Sequence, residues 1–560
     1  MKKYYLHNNV IARYDAIYLR IMIIACLIGL FSCKDLDEMN INPNGVDPAK
    51  GDVSLLINTV IVSSGATARD LGFGDIAGVM QHTQKDGWAG GHNSYDWNTR
   101  DWSYDVLRNA EEMLRKAEEA DNDFYAGVAK LFMAYNYGMI TDLWGDAPFS
   151  EALQGNTGNK KPKFDQQRDI YLGVLAYLEE ANTLLSKNQN DYAINMSQDV
   201  LYGGNVAKWQ KFANSLALRY YLRISEKEPA ISENGIRKIL SNPTLYPLIL
   251  DAADDAAFVY PGVNSGTAWP TNLVYNADLT NWRRYKMCST LVEPMRAMND
   301  PRIAVWANKV EIPLVLDTNR EPNFDQIIDG KRVIGQGVAD EFLAVFEAPL
   351  CYNDDYVGYP PSWSEIMYAY NLLDITQAEQ APYHPHVSHI SDLYQKATDP
   401  LLKARIVSAA EIHFSLAEIA LKGWGGNAEE HYYAGIKASF EVWGVSEGYN
   451  AYIATPGVVF NNTLTQIMEQ KWIASWSAAT EAWFDWRRTG FPALQPGKKN
   501  VKRDAIPLRF YYGDNELNYN SDNVKEAIER LQLTNFSIEE EGKNSAWSKM
   551  WLLQDTNKPW

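Results

Sequence analysis

The sequence predicts an all-α fold, a tetratricopeptide-like scaffold of helical hairpins that carries long irregular loop insertions. Two observations lead to this fold class. Apolar residues recur at helical spacing in several paired segments, whereas the alternation typical of strands is sparse. In addition, 46% of the 560 residues are hydrophobic, and no low-complexity segment or charge block separates domains, so one large core can form. The spacing between the pairs is irregular, which leaves the repeat signature weak.

The helical pattern is carried by paired segments and one final long segment. They span residues 101–120 and 123–143, 165–187 and 205–225, 403–422 and 428–443, and 463–486. The third pair is joined by Gly423-Trp424-Gly425-Gly426, where glycine allows the first helix to stop. Residues 227–400, rich in Pro, Gly, Asn and Tyr, are predicted to form excursions from this scaffold.

The N-terminal region predicts export and lipid attachment. The apolar or small residues 21–31 lead into Ser32-Cys33 and an acidic segment. A membrane-spanning helix needs about 20 apolar residues, so this shorter run is typical of a cleaved export signal. Leu30-Phe31-Ser32-Cys33 resembles the bacterial lipobox. We therefore expect residues 1–32 to be a lipoprotein signal peptide, with residues 33–560 as a single domain that begins at a diacylated Cys33.

Two alternatives stay open in this region. Cys26 fits the lipobox pattern better on its face, because Phe31 is bulky, but cleavage at Cys26 would leave an apolar tail in water. The translation start is also open, with Met22 as the alternative to Met1. The acidic run after Cys33 resembles the export tag that sends lipoproteins of Bacteroidetes-type bacteria to the outer leaflet. This resemblance predicts a lipid-anchored, surface-exposed position on the outer membrane.

Charge and cysteine content narrow the function classes further. The predicted signal carries Lys2, Lys3, Arg13 and Arg20 against Asp15, so its removal would change the formal net charge from −18 to −21. An acidic surface repels phosphate backbones and anionic lipid headgroups, which argues against a nucleic-acid partner and leaves the lipid as the membrane contact. Cys288 and Cys351 would remain, either as a disulfide or as two free thiols.

Catalytic motifs are absent from the sequence. Asp254 and Asp255 are adjacent, so their side chains diverge and cannot flank a glycosidic bond as a pair. The chain has no Gly-rich phosphate loop before a helix, no Gly-x-Ser-x-Gly elbow and no His-Glu-x-x-His. The three histidines of residues 384–389 are a candidate transition-metal cluster, but Pro385 restricts the local backbone and second-shell partners are not evident. We expect no catalytic residue, no cofactor and no metal.

Aromatic side chains carry the main functional signal. The chain contains 18 Trp and 33 Tyr, and many of these rings fall in irregular segments between helices. Sugar rings can stack on indole and phenol faces while nearby polar groups bond their hydroxyls, and the same surface suits an extended peptide. The predicted ligand-binding residues, taken from three such segments, are Trp88, Tyr95, Trp97, Trp269, Tyr275, Trp282, Tyr356 and Trp363. The alternative is that these rings only cover the scaffold.

Several motifs occur along the chain. The C-terminal motifs are Glu469-Gln470-Lys471-Trp472, then residues 481–490 with the sequence Glu-Ala-Trp-Phe-Asp-Trp-Arg-Arg-Thr-Gly, and later Ile506-Pro507-Leu508-Arg509. Earlier motifs are residues 137–149, 199–223 and 417–440. Together they resemble the motifs of the SusD/RagB family of outer-membrane nutrient-binding lipoproteins, in its divergent SusD-like group, and the resemblance spans nearly all of the predicted mature chain in the family's order.

The charged residues of the C-terminal motif have a structural interpretation. Arg487 and Arg488 beside Glu481 and Asp485 could be taken for a catalytic or phosphate-binding cluster, but their spacing suits ion pairs and helix C-terminal capping. The tryptophans of the same region have helical spacing and are predicted to pack the scaffold. They are Trp472, Trp476, Trp483 and Trp486.

The resemblance implies a function. It points to a non-enzymatic surface lipoprotein that binds a nutrient oligomer, with an oligosaccharide favoured over an oligopeptide, and delivers it to a SusC-like TonB-dependent outer-membrane transporter. The alternatives are a glycan-acting enzyme, which the missing catalytic groups disfavour, and an adhesin or assembly protein without a soluble ligand. The family's ligand residues vary with substrate, so the resemblance assigns none of them here.

Overall fold

The computed structural model describes residues 51–87, 89–97, 99–100, 102–187, 193–276, 280–346, 349–361, 384–496, 504–537, 542–556 and 558. The chain divides into a short unit, Met1–Leu55, and a large unit, Leu56–Trp560. Only residues 51–55 of the short unit are described, so Cys33 and the predicted boundary at residue 33 lie outside the described part. Within that part, no helix combines the length and the apolar character that crossing a bilayer requires.

The all-α prediction is confirmed. The α-helices are α1 (Ser54–Gly72), α2 (Asp75–Val79), α3 (Gly90–Asn93), α4 (Asp105–Glu119), α5 (Asp123–Trp144), α6 (Gln167–Leu185), α7 (Val206–Arg223), α8 (Pro229–Ser241), α9 (Thr280–Arg283), α10 (Ser289–Ala297), α11 (Ile303–Trp306), α12 (Gln336–Phe346), α13 (Ala409–Leu421), α14 (Ala428–Val442), α15 (Tyr449–Ile453), α16 (Leu464–Ala474), α17 (Ala479–Thr489), α18 (Asp514–Tyr519) and α19 (Ser521–Glu529).

In the part of the chain that the structure describes, short strands form three small sheets. The strands are β1 (Thr83–Lys85), β2 (Ala256–Val259), β3 (Tyr285–Met287), β4 (Leu314–Leu316), β5 (Asp325–Ile328), β6 (Lys331–Ile334) and β7 (Lys403–Val407). β1 pairs with β3 and β2 with β7, both antiparallel. In the third sheet, β6 lies between β4, which is parallel to it, and β5, which is antiparallel.

Successive helices pack against one another, as the tetratricopeptide-like prediction requires. Helix α5 packs against α4 and α6, α6 against α7, and α13 against α14. Side chains at the helix starts accept backbone N–H groups that have no partner within the helix: Asn122 from Tyr125, Asn205 from Lys208 and Ser408 from Glu411. At the end of α13, Gly423 has a φ of 75°, which confirms the role predicted for glycine at this turn.

Helix α5 lies at the centre of the scaffold, and almost all of its residues are buried. Its close packing depends on glycine. A Cβ at Gly138 would lie 2.0 Å from the Tyr220 hydroxyl oxygen, so α7 can approach α5 only because this position has no side chain. The helix ends at Gly145, whose φ is 94°.

Two of the predicted helices differ from the structure in more than their end residues. Residues 403–407 were expected to begin a helix but form β7, because they pair with Ala256–Val259 and this long-range partner is not visible in the local pattern. The predicted helix 463–486 is two helices, α16 and α17, with a break at Ser477, whose φ is 65°. The packing prediction for its tryptophans is nevertheless confirmed, since none of Trp472, Trp476, Trp483 and Trp486 is more than 5% exposed.

Buried ion pairs join the helices of the core. Arg223 of α7 contacts Asp142 of α5 at 3.3 Å and Glu481 of α17 at 2.5 Å. Arg219 of α7 bonds both carboxylate oxygens of Glu411, from α13, at 2.7 Å. The charged groups of the C-terminal motif are thus structural, as predicted, although most of their partners come from other helices.

A second set of buried charges surrounds Arg488 of α17. Its guanidinium bonds both carboxylate oxygens of Glu418, with Nη2–Oε2 at 2.6 Å, and also Asp485 at 2.9 Å. Lys471 of α16 lies 2.7 Å from Asp485. Burial opposes ionisation of Asp485, but Lys471 and Arg488 outweigh it and hold the pKa of this carboxyl below its usual range.

This network generates a stability prediction. Glu418→Ala removes the main partner of Arg488, whose side chain is only 3% exposed. It should lower the free energy of unfolding by up to about 3–5 kcal/mol, because this buried cation would keep only Asp485, which it shares with Lys471. Urea denaturation followed by circular dichroism measures the change. The matched control is Glu119→Ala, which removes an exposed partner of Arg115 and should have little effect. Equal effects of the two substitutions would contradict the importance of the buried pair.

Candidate functional site

The three aromatic segments predicted from the sequence meet in one layer of the structure. The segments are residues 81–102, 269–285 and 352–363. Strand β1 lies in the first segment and pairs with β3, which begins at the end of the second, with Thr83 opposite Met287. The third segment joins through Tyr359, whose N–H donates to the Met287 carbonyl at 2.7 Å and whose carbonyl accepts from Ser289 N–H at 2.8 Å. The histidine segment joins as well, because the Met287 N–H donates to the Ser388 carbonyl at 2.9 Å. We call this assembly the loop layer.

A buried ion pair fixes the loop layer. Lys286 Nζ lies 2.7 Å from a carboxylate oxygen of Asp86, and both side chains are fully buried. Burial lowers the pKa of Lys286 to about 8 and raises the pKa of Asp86. Lys286 Nζ also lies 3.2 Å from His389 Nδ1. Because separating these buried groups would leave a charge without a partner, the pair holds the strands in register.

Two of the predicted ligand residues are enclosed against the C-terminal region. Tyr95 is fully buried, and Trp97 is 2% exposed. The indole N–H of Trp97 donates to the Gly91 carbonyl at 2.8 Å, and its ring packs edge-on against Trp483 and Phe510. With their faces covered by protein, these rings contribute to packing, and their burial does not support the predicted ligand contact.

Two further predicted rings lie inside the loop layer. Trp269 is fully buried, with its ring 5.2 Å from that of Phe73. Trp282 is 3% exposed, stacks on His389 at 5.5 Å and donates from its indole N–H to the Ser391 carbonyl at 3.1 Å. These rings fill the interior of the layer, so their irregular segments are packed loops and not open binding loops.

The remaining predicted residues have different positions. Tyr275 is 45% exposed, and its hydroxyl donates to the Gly262 carbonyl at 3.1 Å. Tyr356 is half-buried at a cleft described below. Trp88 and Trp363 lie outside the described residues.

A cleft lies beside the loop layer, between helix α10 and residues 349–360. It consists of two adjoining concavities of about 540 and 680 Å³ that share Glu293, Arg296 and Asn353 as lining residues. One wall comes from α10 and the following residues, among them Asn299 and Lys309. The residues lining the other wall are Pro349, Leu350, Cys351, Tyr352, Asn353, Asp355, Tyr356, Gly358 and Pro360. Ligand pockets in proteins have about this volume.

The charged residues that line the cleft are paired within the protein. Glu293 and Arg296 lie 3.1 Å apart, and Lys309 and Asp355 lie 2.7 Å apart. Asp300 pairs with the buried Arg302 at 2.5 Å. The lining therefore offers hydrogen-bonding groups without a net charge that would select a charged ligand.

The aromatic wall of the cleft is held by a local turn. Asn353 Oδ1 accepts the backbone N–H groups of Asp355 and Tyr356, both at 2.8 Å. Tyr352, on the other side of Asn353, is 39% exposed. The sequence analysis predicted Tyr356 as a ligand residue. It did not predict Tyr352, and it missed Glu293 and Arg296, which lie on a helix and have the ordinary spacing of a surface ion pair.

Among the residues that the structure describes, the two cysteines, Cys288 and Cys351, are free thiols. Cys288 is fully buried at the start of α10, whereas Cys351 is half-buried and lines the cleft. The Cys351 sulfur lies 4.0 Å from Glu293 Oε1. Burial, followed by the nearby Glu293 carboxylate, raises the pKa of the Cys351 thiol.

The histidine segment is bonded to the protein backbone. His386 Nδ1 is 2.7 Å from the Ile312 carbonyl, and His389 Nε2 is 2.9 Å from the His384 carbonyl. Burial lowers the pKa of both rings. Among the residues that the structure describes, no group of three or more His, Cys, Asp or Glu side chains is arranged to hold a metal ion.

The adjacent carboxylates Asp254 and Asp255 point to different partners. Asp254 contacts Lys208 at 3.3 Å and Lys211 at 2.5 Å. Asp255 Oδ1 accepts the backbone N–H of Ala409 at 2.7 Å. Their side chains diverge as the sequence indicates, so these two residues do not form an acid–base pair across a bond.

Comparisons with known proteins agree with this architecture. The SusD-like family model, described as starch-binding and associating with the outer membrane, matches residues 47–324 and 367–513. A SusD homologue from Bacteroides fragilis shares 22% identity over 90% of this chain and all of its own, with a TM-score of 0.67. A search of curated proteins found no match.

Two similar solved structures are described as chitin-binding. One is a chitin-binding SusD homologue from Flavobacterium johnsoniae, with 21% identity, a TM-score of 0.65, and coverage of 90% of this chain and 98% of its own. Another, described as a chitin-binding protein, shares 23% identity over 91% of this chain and all of its own, with a TM-score of 0.67. At these identities the likeness concerns the fold.

Proposed function

Since the chain belongs to the SusD-like family, we propose that it is a surface-exposed outer-membrane lipoprotein that binds a nutrient oligosaccharide and passes it to a TonB-dependent transporter. Proteins of this family are associated with the outer membrane and bind nutrients. The proposal has three specific parts: an oligosaccharide as the ligand, a lipid anchor, and a transporter as the partner.

The observation that carries the ligand proposal is the cleft beside α10. Its wall presents the partly exposed ring of Tyr352 and the half-buried ring of Tyr356, and its lining charges are paired within the protein. The apolar C–H faces of sugars stack on phenol rings, and sugar hydroxyls bond to amide and charged groups such as Asn353 and Arg296. This combination favours a neutral oligosaccharide. An uncharged oligopeptide is the alternative ligand.

A catalytic function has less support. Hydrolysis of a glycosidic bond needs two carboxyl groups at a defined separation on either side of the bond. In the described part of the cleft, Glu293, Asp300 and Asp355 are each engaged with a cation. The protein should therefore return its ligand unchanged, which incubation with candidate glycans and product analysis would test.

Titration with soluble glycans tests the ligand proposal. We expect the full-length protein to bind malto- or chito-oligosaccharides with a Kd that hardly changes when the salt concentration rises from about 0.05 to about 0.5 M, because stacking on tyrosine is not screened by ions. Isothermal titration calorimetry measures both quantities. Binding that salt weakens strongly would point to a charged ligand. Binding only to uncharged peptides would favour the peptide alternative, and no binding to either class would favour an adhesin.

The anchor and the transporter can be tested together. Cys33→Ala should abolish fatty-acid labelling and association with the outer-membrane fraction without affecting folding, because a lipid-anchored protein depends on its acyl chains for membrane binding. Affinity purification of the parent protein from native membranes in mild detergent should recover a TonB-dependent receptor. Cys26→Ala is the control and should retain the label. Label retained in Cys33→Ala would refute the assignment, and purification without a receptor would count against the transporter.

A further inference from the structure

The family model matches the residues of one wall of the cleft but not those of the other. The family model matches residues 47–324 and 367–513, so α10, Asn299 and Lys309 lie inside the match. Residues 325–366 lie outside it, and they include every lining residue of the opposite wall, from Pro349 to Pro360. One wall thus lies inside the match to the family model, and the other lies outside it.

The unmatched wall is anchored at both ends. Leu350 packs against the small hydrophobic cluster of Leu314, Ile334 and Ala339 beside the β4–β6–β5 sheet. At the far end, Tyr359 is hydrogen-bonded to Met287 and Ser289 in the loop layer. The segment between Leu350 and Tyr359 is therefore held in place at both ends.

Further contacts hold the middle of this wall. The Val310 N–H donates to the Asp355 carbonyl at 2.8 Å, and Lys331 Nζ lies 2.7 Å from Asp354. A Cβ at Gly358 would lie 2.2 Å from Ser289 Cα, so only glycine allows the wall to approach the start of α10 this closely. A wall held in this way is ordered before a ligand arrives, which lowers the entropy cost of binding.

We propose that residues 349–361 form the specificity-determining wall of this cleft, which binds a neutral oligosaccharide on Tyr352 and Tyr356. The proposal rests on the proposed function and adds a location and a source of specificity to it. The paired charges of Glu293 with Arg296 and of Lys309 with Asp355 give a charged ligand no free counter-charge. Concavities of about 540 and 680 Å³ have room for more than one sugar ring, so an oligomer fits the cleft.

Cys351 provides a native reporter for this site. It lines the cleft next to Tyr352, whereas Cys288 is fully buried and serves as the internal control. The full-length protein is alkylated with iodoacetamide at mildly alkaline pH, with and without saturating maltoheptaose or chitohexaose. Peptide mass spectrometry follows the modification of each cysteine. The glycan that binds in calorimetry should slow alkylation of Cys351 in proportion to its occupancy, while Cys288 stays slow in both conditions.

Variants test the contribution of the rings. Tyr352→Ala or Tyr356→Ala should weaken binding of the same glycan about tenfold, the loss expected for a stacked ring that contributes about 1.4 kcal/mol. The matched control is Tyr519→Ala, which removes a tyrosine that is 72% exposed and does not line the cleft, and it should bind like the parent. The melting temperatures of all three variants should stay close to that of the parent.

The outcomes separate this proposal from the proposed function. If the parent protein binds no glycan, the proposed function is wrong. If it binds one but Cys351 is not protected, or if both cleft variants bind like the parent, the function stands and this location is wrong. In that case Tyr275→Ala tests the exposed aromatic ring that lies away from the cleft. Protection of Cys351 together with loss of affinity in a cleft variant supports the proposal.

Discussion

The fold depends on charges that are buried in matched groups between its helices. Arg223 joins α5, α7 and α17 through Asp142 and Glu481, and Arg219 adds α13 through Glu411. Because an unpaired charge inside the core is costly, arrangements that separate these helices are disfavoured. These ion pairs thereby hold the helical hairpins together as one scaffold. In the loop layer, the buried ion pair of Asp86 and Lys286 holds together two segments that are distant in sequence.

The packing of the loop layer explains why several of the predicted ligand residues do not face solvent. Trp269 and Trp282 lie in segments without long helices, where local patterns suggest open loops, yet the loop layer packs these segments face to face and encloses the rings. Partly exposed rings remain where a segment borders the cleft beside the layer. Residues 349–360 do so, and for this reason Tyr352 and Tyr356 border the cleft while Tyr359, three residues later, is fully buried.

The helical hairpins could be predicted from the sequence because the features that specify them are local. These features are the spacing of apolar residues, capping side chains such as Asn122 and Asn205, and the glycine-rich turn at residues 423–426. The strand at residues 403–407 could not, because its structure depends on pairing with Ala256–Val259. The candidate site was only partly predictable for the same reason. Tyr356 was predicted because it lies in an irregular segment rich in aromatic residues. Glu293 and Arg296 were not, because α10 is brought opposite this segment by long-range contacts of Tyr359 and Gly358.

The central proposal is that an oligosaccharide binds between α10 and residues 349–361, which lie outside the match to the family model. Hydrogen–deuterium exchange of the full-length protein, with and without the bound glycan, tests it most directly, because a ligand held between two walls slows exchange in both. The account predicts slower exchange in residues 289–297 and 349–361, with little change in α5 at the centre of the scaffold. Protection confined to another surface, such as residues 262–275 around Tyr275, would contradict it.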